Sequence, residues 1–165
     1  MKKEEQAQFI SPSRGPITLD GSVYDIIDFM RANPDDQYVV GVGTDSKLYS
    51  DHCLFVNAIF VHRVGHGGRY YYRKVYKTTH YVLRTRIHEE AWMSLELATK
   101  LLEMMQSALS QTSFNYNLEI HVDIGERGKT RSIIKEIVGM IQGSGFLVRI
   151  KPDAVCATTV ADKHT

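Results

Sequence analysis

The 165-residue sequence predicts one α/β domain: a mixed five-stranded sheet in the order β-β-β-α-β-α-β-α, with helices on both faces and a short helix ahead of it. Three observations lead there. Three β-rich runs come first, between Tyr38 and Thr79, and two of them flank a glycine turn. Helical and strand-like patterns then alternate to the end of the chain. A hydrophobic content of 43% beside 24% charged residues suits a packed core, and a chain of this size buries enough surface to fold without cross-links.

Residues 1–19 read as a flexible lead-in, because Ser11-Pro12-Ser13-Arg14-Gly15-Pro16 strings turn formers together, and residues 20–165 as the domain. From Asp20 to about Ala32, apolar Val23, Ile26, Ile27 and Met30 recur at helical spacing until Asn33-Pro34 stops them. Tyr38 to Gly43 is a short apolar run of the kind a buried strand shows, delivering Thr44-Asp45-Ser46 at its end. Cys53 to Val64 and Arg69 to Thr79, joined by Gly65-His66-Gly67-Gly68, form a hairpin signature. The longest helical pattern runs from Arg86 to about Leu109, and Leu118 to Asp123 is a strand. A helix from Thr130 to Gln142 ends at Gly143-Ser144-Gly145, Phe146 to Ile150 is the last strand, and Thr158-Thr159 offers a cap for a final short helix.

Four acids stand out against this framework. Asp45 follows an apolar strand, where a charge closes a turn or faces a cleft, a partner or a metal. Asp123 ends a strand whose Leu118, Ile120 and Val122 take one face, and ligands of open α/β sheets bind beyond such carboxyl ends. Glu90 shares a helical stripe with Ser94, Leu97, Leu101, Met105 and Ala108, the side that packs on the sheet, whereas Glu89 shares the solvated stripe of Glu96, Lys100 and Glu103. In the first turn of that helix, Glu90 either complements the helix dipole or points into a site. Asp162 lies where Thr159 would start a capping box. Each has a structural reading, but two strand ends and two helix starts delivering carboxylates together suit a pair of divalent ions sharing hard oxygen ligands.

Gly43-Thr44-Asp45-Ser46, Glu90, His121-Val122-Asp123 and Val160-Ala161-Asp162 resemble the ribonuclease H-like superfamily. More narrowly, the stretch His121-Val122-Asp123-Ile124-Gly125-Glu126-Arg127-Gly128-Lys129-Thr130 and the ending Val160-Ala161-Asp162-Lys163-His164 are similar to the YkuK family of predicted ribonuclease H-like proteins. The resemblance implies a phosphodiesterase site for two Mg2+ or Mn2+ ions. Asp45 would bridge both, Glu90 and Asp123 would hold the ion on the leaving-group side, and Asp162 would help hold the ion that activates water. It also suggests, by analogy with a histidine near some ribonuclease H sites, that His164 assists proton transfer or product release.

Between His52 and His88 there is no acid, yet basic residues alternate with tyrosines, a composition that attracts phosphate and stacks on unpaired bases. Arg69, Tyr71, Arg73, Lys74 and Lys77 on the hairpin, with Lys129, are therefore the expected nucleic-acid contacts; an ordinary solvated sheet face is the competing reading. Gly128-Lys129-Thr130 imitates a phosphate loop, but Asp123 stands where its first glycine belongs, and helix capping by Thr130 is simpler. His62 and His66 flank a turn without cysteine partners at zinc-site spacing. Two cysteines in no paired motif, no secretory leader and no apolar run of membrane length place the expected protein in the cytoplasm, away from the bilayer. The leading functional expectation is a metal-dependent nuclease acting on RNA, an RNA-DNA hybrid or structured DNA. The alternative is a non-catalytic nucleic-acid-binding module on the same fold, with oligomeric state open; an actin-like ATPase would need a second domain.

Overall fold

In the computed structural model, the described residues are 8–128, 130–154 and 160–165. Its sheet has seven strands rather than five, in the order β2-β1-β5-β4-β3-β6-β7. The two extra strands, β1 (Gln8–Ser11) and β2 (Gly15–Thr18), form a hairpin inside the stretch expected to be a flexible lead-in. Gly15, at φ +75°, closes its turn, and Pro16 is tolerated because β2 is the edge strand. Phe9 fixes the hairpin to the body: it is fully buried, and Ile10 pairs with Tyr72 of β5.

Helix α1 (Leu19–Arg31) matches the expected periodicity, with Val23, Ile26, Ile27 and Met30 buried. Thr18 caps it, its Oγ1 accepting from the Gly21 N–H at 3.0 Å. Strand β3 (Gln37–Leu48) runs five residues past Gly43, so Asp45 lies within a strand and not in a turn after one. It pairs antiparallel with β4 (Cys53–Arg63), which pairs with β5 (Gly67–Lys77), the predicted hairpin. Helix α2 (Leu83–Ala108) starts at Leu83, which puts Glu90 beyond its first turn and removes the helix dipole as the reason for that acid. Strand β6 (Asn115–His121) lies parallel to β3, and β7 (Leu147–Arg149) parallel to β6. Thr130 makes no capping hydrogen bond; a 3-10 turn, Arg131–Ile133, intervenes before α3 (Ile134–Gly143). The expected caps Thr158 and Thr159 lie outside the described residues.

Helices on both faces were expected, yet α1, α2 and α3 share one core with Val40, Val42, Ile59, Val61 and Ile120, and so cover one face of the sheet. The opposite face carries a smaller cluster, Leu54, Val56, Ala58 and Ala161, beneath α4, the single turn Asp162–His164. Among the described residues nothing longer covers it. On that face Leu54, Val56 and Ala58 are buried, and exposure begins at its margins, with Lys47, Lys74 and Tyr76.

Candidate active site

Gly43 and His121 are the last partners of the parallel β3–β6 ladder, and Asp45 and Asp123 each lie two residues beyond that pair, Asp45 still within β3 and Asp123 just past the end of β6. Thr44 and Ser46, on either side of Asp45, meet α2: the Thr44 and Ser94 hydroxyls are 2.8 Å apart, and Ser46 donates to Glu90 Oε1. Alternation therefore turns Asp45 to the opposite face, where Thr165 Oγ1 reaches its Oδ2 at 3.5 Å. Glu90 enters from the helical side and is 7% exposed, while Asp162 begins α4, exposed on the other side. A buried polar chain steadies β3 here. Arg73 Nε donates to Asn57 Oδ1 at 3.1 Å, and Asn57 Nδ2 donates to Thr44 Oγ1 at 2.8 Å.

The four acids act on one another. Burial pushes Asp45 up to about 6; Asp123 and Asp162 push the same way, against the Ser46 backbone N–H and the Thr165 hydroxyl. Burial likewise pushes Glu90 up to about 8, opposed by the Ser46 hydroxyl and Arg86 and reinforced by Asp45 and Asp123. Asp123 Oδ1 is buried with no hydrogen-bond donor aligned on it; its neighbour is the Lys151 ammonium, at 2.9 Å in an ion pair. Among the described residues no three histidine, cysteine or acidic side chains stand in a ligating array. The donor chemistry nonetheless suits a hard divalent cation: crowded carboxylates held partly protonated by burial and mutual repulsion, and one buried oxygen without a hydrogen bond.

The hairpin residues divide between the two faces. Tyr71, expected to stack on bases, is fully buried and donates to Asp25 Oδ2 at 2.5 Å, so it belongs to the core. Arg69 shares that partner, with Nη1 2.9 Å from Asp25 Oδ1 and its guanidinium over Phe29. Arg73 is tied to Asn57, and Lys77 pairs with Glu89. All four lie on the helical face, because alternation along β5 sends odd-numbered residues there. Lys74 is exposed on the Asp45 face, through the register Asp45–Val56–Lys74. Lys129 lies outside the described residues.

Lys47 and Tyr76 occupy the next row of the same face through Leu54, and both are exposed; the position of Lys47, two residues after Asp45, is legible once the strand is extended. His164 is also there, its ring stacked on Tyr72 at 3.7 Å between centroids and its Nε2 3.4 Å from the Tyr70 hydroxyl. His62 and His66 are both exposed at the β4–β5 turn. Lys151 was not singled out in the sequence, since only the pairing of β6 with β7 brings it to Asp123.

A mixed sheet with antiparallel β3–β4–β5 and parallel β6 and β7, bearing acids in β3 and just past β6, defines a class, and the chain belongs to it: the ribonuclease H-like family matches residues 22–165. Within that family the chain is of the YkuK type. It is 31% identical over 166 residues to the uncharacterized protein YkuK of Bacillus subtilis (strain 168), an alignment covering 95% of this chain and 96% of that protein. No solved structure matches. Among the described residues, no helix is long and apolar enough to cross a membrane.

Proposed function

We propose that the chain is a metal-dependent nuclease that hydrolyses phosphodiester bonds of RNA, an RNA-DNA hybrid or structured DNA. The observation that carries this reading is the gathering of acids around half-buried Asp45, which Asp123 and Asp162 both repel, beside buried Glu90, which Asp45 and Asp123 repel. Asp45, Glu90, Asp123 and Asp162 would hold two Mg2+ or Mn2+ ions, whose chemistry is to lower the pKa of bound water and neutralise charge on the attacked phosphate. Ser46 orients Glu90, and the Arg73–Asn57–Thr44–Ser94 chain keeps β3 from shifting against α2. Lys74 and Lys47 attract the phosphate backbone to the face that bears Asp45, and exposed Tyr76 offers a ring to an unpaired base.

Cleavage of labelled single-stranded RNA, RNA-DNA hybrid, single-stranded DNA and branched duplex with Mg2+ or Mn2+ tests the proposal. Wild type is expected to cut at least one substrate, and Asp45→Asn and Asp123→Asn to lose that activity with their fold intact. Retained binding without cleavage of any substrate would instead make the protein a binding module.

A further inference from the structure

The β6–β7 pairing continues past its last register pair. His121 is level with Arg149, the Val122 N–H donates to the Arg149 carbonyl at 2.9 Å, and the Lys151 N–H donates to the Ile124 carbonyl at 2.9 Å. These two bonds bracket Asp123 and bring Lys151 beside it on the neighbouring strand end. Two residues earlier on the same strand, Arg149 reaches diagonally to Glu119, with Nη2 3.1 Å from Oε1. The two pairs differ in what surrounds them. Glu119 is buried and its second oxygen meets His121 Nε2 at 3.0 Å, so both of its oxygens have partners. Asp123 Oδ1 is buried too, but among the described residues it meets only the unaligned ammonium of Lys151 and faces the repulsion of Asp45 and Glu90. Gly125 makes room for the lysine stem: a Cβ there would lie 3.3 Å from Lys151 Cβ.

From this geometry we infer that Lys151 is the built-in counter-cation of the carboxylate cluster, occupying Asp123 in the metal-free protein and yielding it to a divalent ion. The inference rests on the nuclease reading, because it takes Asp123 as a ligand. Two properties fit a cation that must leave. The Lys151 side chain is half exposed, so its ammonium regains water on release, and a flexible four-carbon stem allows the swing without moving the backbone. A single ammonium whose side chain is half exposed neutralises one carboxylate, whereas a divalent ion engages several carboxylate oxygens at once.

Lys151 is a positioning residue on this view, and the readout is metal affinity. Mn2+ binding to the full chain is titrated by the electron paramagnetic resonance signal of the free ion, for wild type, Lys151→Met, Arg149→Met and Asp123→Asn. Lys151→Met removes the competitor and is expected to bind Mn2+ about tenfold more tightly. Arg149→Met makes the same change in net charge one pair along the sheet and is expected to leave the affinity near that of wild type. Asp123→Asn is expected to weaken it. Affinity unchanged or lowered in Lys151→Met, with Mn2+ bound by wild type and lost in Asp123→Asn, overturns the lysine assignment and leaves the nuclease reading standing. Equal tightening in Lys151→Met and Arg149→Met also overturns it, since the effect is then the general field. No Mn2+ binding by any form, with no cleavage, overturns both.

Discussion

A carboxylate drawn away from water needs partners, and buried Asp25 and half-buried Asp45 meet that need in opposite ways. Asp25 gathers Arg14 at 2.8 Å, Arg69 at 2.9 Å and the Tyr71 hydroxyl at 2.5 Å, a closed structural hub joining α1, β5 and the β1–β2 turn. Among the described residues Asp45 has no basic partner of that kind and lies among other acids, the arrangement of a site and not of a brace. Tyr71→Phe is therefore expected to cost about 1 to 3 kcal/mol in urea unfolding, because it takes a hydrogen bond from a buried carboxylate, while nucleic-acid affinity stays the same. A loss of affinity without a loss of stability would return Tyr71 to the binding surface. The residue scale is also where the sequence is hardest to read. Arg69, Tyr71 and Arg73 share with Lys74 the composition of a phosphate-binding strand, and only knowing which face the helices cover separates them.

At the scale of elements, alternation along β5 decides the interface. Lys74→Ala is expected to weaken nucleic-acid binding and to reduce the slope of log affinity against log salt by about 1, whereas Lys77→Ala, on the helical face with Glu89, leaves the slope unchanged. Equal slopes for the two variants would place the strand differently against its substrate. The helices and the β4–β5 hairpin were legible because apolar period and glycine turns agree over long stretches. The β1–β2 hairpin was not, since four-residue strands carry too little alternation to stand out among prolines and glycine. Its burial of Phe9 makes it part of the domain. Phe9→Ala is expected to cost about 3 to 5 kcal/mol, measured by urea unfolding, while a cost near zero would mean that the hairpin is a loose appendage.

Across the whole molecule, three helices cover one face and a single turn lies on the other, with Glu90 reaching β3 from the helical side and Asp45 and Asp162 on the opposite one. Of the acids singled out in the sequence, the sheet-facing stripe of Glu90 was legible, but β3 runs on past Asp45 and α2 starts seven residues before Glu90, so strand ends and helix starts were misjudged where apolar periodicity fades. Lys151 was not legible, because it reaches Asp123 only through a strand pairing between segments distant in sequence. The acid cluster also has a global consequence for stability. Unfolded, Asp45 and Glu90 lose their protons near 3.8 and 4.5; folded, they hold them to about 6 and about 8. The folded chain thus binds more protons across that interval, and its stability falls as pH rises through it. His121 and His164, both lowered from 6.5 by burial, work in the opposite sense, but below 6.5. The window from 6.5 to about 8 belongs to Glu90, which faces Asp45, Asp123, Arg86 and Ser46.

Thermal unfolding across that window, with and without Mn2+, tests most directly whether these acids form a cation site. Metal-free wild type is expected to melt at lower temperature as pH rises from 6.5 to 8, and Glu90→Gln to show little change. Mn2+ is expected to raise the melting temperature of wild type near pH 8 and to do so far less in Glu90→Gln or Asp45→Asn. A wild-type melting temperature indifferent both to pH in this range and to Mn2+ would contradict a cation-binding cluster, and with it the nuclease.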